Sequence, residues 1–195
     1  MLLDDFMPEF DVRTNHAIRV AASPEHVYAC VWRTNFDHWG ITRALYALRT
    51  IPTFVSSPLE TRRRFLKEVR RQHFTLEDLL DNGFGLLDEQ SGSELVLGTV
   101  GRFWGARSQL CAANPQRFVE PLAAGTAKAA WNFSVGHHPK GGTELRTETR
   151  VLCADSATRY RFLAYWTLIR PFSELIRHEI LAAVRKKAED TSNQI

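Results

Sequence analysis

Two hydroxyls and a handful of charged or imidazole groups are the side chains here whose type and spacing can do chemistry. Thr147 and Thr149 stand two apart in Glu144-Leu-Arg-Thr-Glu-Thr-Arg-Val151, so a strand places both on one face with Leu145 and Val151, and Glu144, Arg146, Glu148 and Arg150 on the other. A hydroxyl on an inward face must find a protein or ligand partner. Arg102 lies between Gly101 and Phe103. A bulge at Gly98 or Gly101 would turn its guanidinium inward, toward a carboxylate such as Glu148, although exposure is the usual fate of Arg. Among the dispersed histidines, His38, next to Trp39 in a loop between helical stretches, is the one best placed for acid–base work.

No motif names a catalytic residue. The chain has no Gly-x-Ser-x-Gly elbow, no His-Glu-x-x-His and no phosphate-cradling glycine loop. Gly83-Phe84-Gly85 lacks the third glycine of a nucleotide fingerprint. His137 and His138 are adjacent, point apart and have no third ligand, so neither a metal nor a cofactor is expected. Cys30, Cys111 and Cys153 are odd in number and far apart, which excludes a disulfide framework and reads as small core residues of a cytoplasmic protein.

The elements that must position these groups follow from period and punctuation. The alternation around His16-Ala17-Ile18-Arg19-Val20 predicts a first strand, and Ser23-Pro24-Glu25 an N-cap, a proline in the first turn and an acid. Helical stretches follow over Ile41 to Thr50 and Leu59 to Gln72, the latter carrying the basic run of residues 62–71, with a capping box at Thr75 to Asp78. From Phe84 the period turns strand-like. Phe84 to Gln90, Ser93 to Trp104, Arg107 to Ala112, Ala127 to Val135 and Glu144 to Val151 read as strands. Asn114-Pro115 starts a short helix. From Asp155-Ser156 a single helix runs over Ala157 to Glu189, roughly 50 Å long at 1.5 Å per residue, with Pro171 inside it.

Composition sets the outer limits. The chain has 195 residues, 44% of them hydrophobic, with 5 Trp, 4 Tyr and 12 Phe, enough for one domain with a real core. The ordered part is expected over about 11–188, between short frayed ends. A net charge of +3 from 25 basic and 22 acidic residues is too even to make nucleic acid the main partner, and no apolar run is long enough for stable membrane insertion. The oligomeric state is not legible.

Ile18-Arg-Val-Ala-Ala-Ser-Pro-Glu-His-Val27 resembles the first strand and helix start of the START-like superfamily. That superfamily groups birch-pollen-allergen relatives, lipid-transfer domains and bacterial polyketide cyclase/dehydrase proteins as SRPBCC. Gly98-Thr-Val-Gly-Arg-Phe-Trp104, Ala129-Ala-Trp-Asn-Phe133, Thr147-Glu-Thr-Arg-Val151 and Tyr165-Trp166 through Ile169-Arg-Pro-Phe-Ser173 to Ile176-Arg177 are similar to a bacterial branch of it without a defined activity.

The resemblance implies an α+β helix-grip fold, six or seven antiparallel strands curved around the long C-terminal helix, with extra helices after the first strand. It also implies a cavity lined by Leu97, Phe103, Trp131, Phe133, Thr147, Thr149, Tyr165, Trp166, Ile169 and Phe172, with Arg102, Glu148 and His38 as its polar groups. The expected function is binding of a small hydrophobic or amphipathic molecule, as a carrier or sensor. The alternatives are a polyketide cyclase/dehydratase-like enzyme in the same cavity, and an interaction module acting through residues 62–71.

Overall fold

The computed structural model describes residues 1–36, 75–81, 83–102, 104 and 109–192. The helices expected over Ile41 to Thr50 and Leu59 to Gln72, the basic run 62–71, His38 and Phe103 lie outside the described residues.

Local capping chemistry sets the element boundaries. Strand β1 (Val12–Val20) passes into helix α2 (Pro24–Arg33) through Ser23, whose hydroxyl accepts from His26 N. Helix α1 (Leu2–Phe6) precedes β1. Helix α3 (Leu76–Asp81) opens on a reciprocal capping box: Thr75 N donates to Asp78 Oδ2 at 2.8 Å, and Asp78 N donates to Thr75 Oγ1 at 3.4 Å. Gly92, at φ +77°, turns β2 (Gly85–Gln90) into β3 (Glu94–Arg102). After β4 (Gln109–Ala112), Asn114 caps the short helix α4 (Pro115–Val119) by accepting from Arg117 N at 2.8 Å. Strands β5 (Ala127–His137) and β6 (Thr143–Cys153) are the longest of the sheet. Asp155 then accepts from Thr158 N at 2.7 Å and starts helix α5 (Ser156–Ser192), which contains Pro171.

All pairings are antiparallel, in the order β1-β6-β5-β3-β2, with β4 on the same edge of β3 as β2. This is the expected α+β class, a six-stranded curved sheet with the long C-terminal helix packed against it in a helix-grip arrangement.

Register decides what the two faces carry. Thr14, Thr149, Trp131 and Leu97 form one cross-strand row, and His16, Thr147, Phe133 and Leu95 the next. These rows face α5. Two apolar clusters occupy this inner side. One gathers Val27 and Val31 of α2, Phe133 and Leu145 of the sheet, and Ile180, Leu181 and Val184 of α5. The other gathers Ala127, Ala129, Val151 and Phe162, with Trp104, Tyr165 and Trp166 against them.

The outer face is covered as well. Leu3 and Met7 of the N-terminal segment and Phe118 of α4 are buried on it with Val96 and Ala130. In the stretch expected to fray, residues 2–7 carry four apolar residues in six, which give that segment a face to bury. Glu94 holds it in place, its carboxylate accepting from Leu2 N at 2.9 Å and Leu3 N at 3.4 Å.

Candidate functional site

Helix α5 is buried at both ends of its inward stripe and not in the middle. Thr158 and Phe162 are buried, as are Ile180, Leu181, Val184 and Ala188, whereas no residue from 163 to 179 is. Tyr165, Trp166, Ile169, Phe172, Ser173, Ile176 and Arg177 are all half-buried. On the sheet, the strip between the two apolar clusters carries Thr14, His16, Thr147, Thr149 and Trp131. Hydroxyls and an imidazole thus lie between two groups that contain aromatic rings.

Within this strip each polar side chain has an assigned or a missing partner. Thr147 Oγ1 accepts from Trp131 Nε1 at 2.6 Å and donates to the Asn132 carbonyl at 2.8 Å, so its one donor is used inside the protein. Thr149 Oγ1 accepts from both Nε and Nη2 of Arg177. Arg177 also donates through Nη1 to Ser173 Oγ at 2.8 Å, and its guanidinium carbon lies 5.2 Å from the centre of the Trp131 ring. Burial lowers its pKa to about 10, which leaves it charged at neutral pH.

His16 packs edge-on against His178, with ring centres 4.6 Å apart. Burial lowers the His16 pKa from its ordinary 6.5, and the neighbouring His178 and Arg177 push the same way against the opposite pull of Glu174. Its Nε2, and Oγ1 of Thr14 one alternation away, are buried without a hydrogen-bond partner among the described residues. Such orphans are uncommon in a packed interior.

The predicted lining residues divide accordingly. Leu97 and Phe133 are fully buried, and Trp131 is nearly so; Phe133 stacks on Phe36, and Trp131 meets Phe84 edge-on. They form the floor at one end. Tyr165 and Trp166 pack around Phe162 at the other end, and Ile169 and Phe172 occupy the half-buried stretch between.

Two of the expected polar groups are elsewhere. Glu148 is fully buried on the opposite face of the sheet, where its carboxylate accepts from Arg150 Nε at 2.6 Å and Arg13 Nη2 at 2.8 Å. Strand β3 pairs with β5 in unbroken register from Glu94 to Gly101, so no bulge at Gly98 or Gly101 turns Arg102 inward; its Nε donates to the Gly125 carbonyl at 3.0 Å. The irregularity in this part of the sheet falls in β2, between Leu86 and Asp88.

The cysteines differ from one another. Cys30 is buried, but Cys111 is exposed, contrary to a core role; burial and the neighbouring Asp11 push the Cys153 thiol up to about 12. Neither Cys30, whose pKa burial also raises, nor Cys153 is a ready nucleophile. Among the described residues no three His, Cys, Asp or Glu side chains gather in a metal-binding group, and no helix is long and apolar enough to cross a membrane.

Arg177, His16, His178 and Thr14 are the members of the strip that motif reading passed over. A signal for Arg177 was present, because it is a charge beside Ile176 on the inward side, four residues after Ser173 and three before Ile180. Comparison of the chain with protein-family models and with curated proteins gives no match.

Proposed function

We propose that this protein binds a small hydrophobic or amphipathic molecule between the sheet and the middle of helix α5, as a carrier or sensor of START-like type. One observation carries the reading. The inward stripe of α5 is only half-buried from Tyr165 to Arg177, opposite two buried polar atoms without partners among the described residues, Thr14 Oγ1 and His16 Nε2. A core packed solid would bury that stripe and pair those atoms. The helix-grip arrangement and the sequence resemblance support the same reading.

Of the groups expected for a cyclase or dehydratase, Arg102 and Glu148 lie away from the strip, so binding without a chemical step requires less of the structure.

The test is a fluorescence titration with N-phenylnaphthylamine, a neutral apolar probe. The wild-type protein is expected to bind it saturably. Ile169→Trp, which places a larger side chain in the half-buried stretch, is expected to weaken binding at least tenfold while the far-ultraviolet dichroism stays unchanged. Equal affinity in the two proteins would place the probe elsewhere and overturn the proposed site.

A further inference from the structure

Arg177 has no counter-ion among the described residues. Its acceptors are all neutral: Thr149 Oγ1, Ser173 Oγ and, at 3.3 Å, the Ser173 carbonyl. The neighbouring acid on the same helix, Glu174, is engaged by Arg170 Nε at 2.7 Å. Glu94 and Glu148 belong to the other face of the sheet.

The buried guanidinium of Arg150 is treated differently. Arg150, on the outer face, is held between Glu148 and Asp4. Lys128, also buried and without a carboxylate among the described residues, is closed off by the Phe118 carbonyl at 3.1 Å and the Phe118 ring. Arg177 instead lies on the partly open strip, against Trp131.

Its geometry is specific. The edge formed by Nε and Nη2 is the one that takes both oxygens of a carboxylate side-on. Here both donors converge on a single hydroxyl oxygen, that of Thr149. One acceptor does the work of two, and it brings no charge. Holding even a half-buried guanidinium without a partner charge is unfavourable, so an anion arriving at this edge gains both the second hydrogen bond and the missing charge.

We propose that the ligand is an amphipathic organic acid carrying one negative charge. Its carboxylate or sulfonate engages the Nε–Nη2 edge of Arg177, and its apolar body lies along Trp131 and the half-buried stripe of α5. A single charge fits because Arg177 is the one cation of the strip that no acid neutralises among the described residues. The inference rests on the binding function proposed above and adds the class of ligand.

Two probes that share an aromatic frame test it: anilinonaphthalene sulfonate, an anion, and N-phenylnaphthylamine, which is neutral. The wild-type chain is expected to bind the sulfonate at least about tenfold more tightly, the size of one charge-assisted contact. Arg177→Met should erase that preference, read as the ratio of the two affinities measured on the same variant. If the methionine variant does not fold, Arg177→Lys keeps a charge but loses the side-on edge, and the preference should fall several-fold. A wild-type protein that binds both probes alike, or variants that keep the full preference, overturn the charge assignment alone. Failure of the wild-type chain to bind either probe overturns the binding function itself.

Discussion

His16 shows how one residue's surroundings set its chemistry. Alternation puts it on the inward face of β1, beside Thr14 and Ile18, where its ring meets His178 of α5. Burial first, then His178 and Arg177, lower its pKa, while Glu174 acts in the opposite sense; Arg170 is paired with that glutamate. The folded protein therefore prefers the neutral imidazole. Its contribution to stability is complete above the ordinary value of 6.5 and is lost as pH falls toward the lower, folded-state value. The urea midpoint should fall between about pH 7.5 and pH 5.5, and His16→Gln should show a smaller fall. An equal fall in both proteins would assign the effect to other groups. Thr147 and Thr149 illustrate the limits of residue-by-residue reading: their inward placement was legible from alternation, but not that Trp131 and Asn132 consume the first hydroxyl while Arg177 consumes the second.

Strand β6 and helix α1 together form a device that neither element shows alone. The alternating charges of β6 look like a solvated outer row. The N-terminal segment covers the Glu148 and Arg150 end of that row, and Arg150 donates to Glu148, to the Met7 carbonyl at 2.7 Å and to Asp4 at 2.7 Å. The Arg150 guanidinium holds the Asp4 carboxyl below its ordinary 3.8, so this contact is complete above about pH 4 and is lost as pH falls further. Glu148→Gln leaves Arg150 buried beside a neutral amide and removes the bidentate partner of Arg13. A loss of about 3 kcal/mol in denaturant unfolding is expected, whereas a loss below about 0.5 kcal/mol would mean that the network behaves like a surface ion pair. The probe-binding preference should be untouched, because Glu148 is on the face away from Arg177.

At the scale of the whole molecule, the inner core is divided. The two apolar clusters are joined along α5 by a stretch in which no residue is buried, and the polar strip of β1 and β6 lies opposite. A ligand seated there would connect the clusters and stabilise the fold by mass action. At about 100-fold excess over its dissociation constant, N-phenylnaphthylamine should add about 2.7 kcal/mol, which for a chain of this size raises Tm by roughly 5–10 °C. Ile169→Trp should show little of that rise; an unchanged Tm in the wild-type protein would argue that the probe binds folded and unfolded chains alike.

The sequence by itself determined the strand faces, the caps at Ser23, Thr75 and Asn114, and the extent of the long helix, because these depend on a period of two or of three to four and on side chains a few residues apart. It also placed Trp131, Phe133, Thr147 and Thr149 on one surface. Only the tertiary structure decided which surface receives which cover. Glu148 is buried because a segment more than a hundred residues earlier in the chain folds over it, through contacts such as Arg150 to Asp4. Arg177 becomes the centre of the proposed site because α5 lays it across Thr149 and Trp131. Both outcomes depend on pairings between distant elements, which no local spacing encodes; what the sequence does show at position 177 is a charge beside the apolar stripe Ile176, Ile180 and Val184.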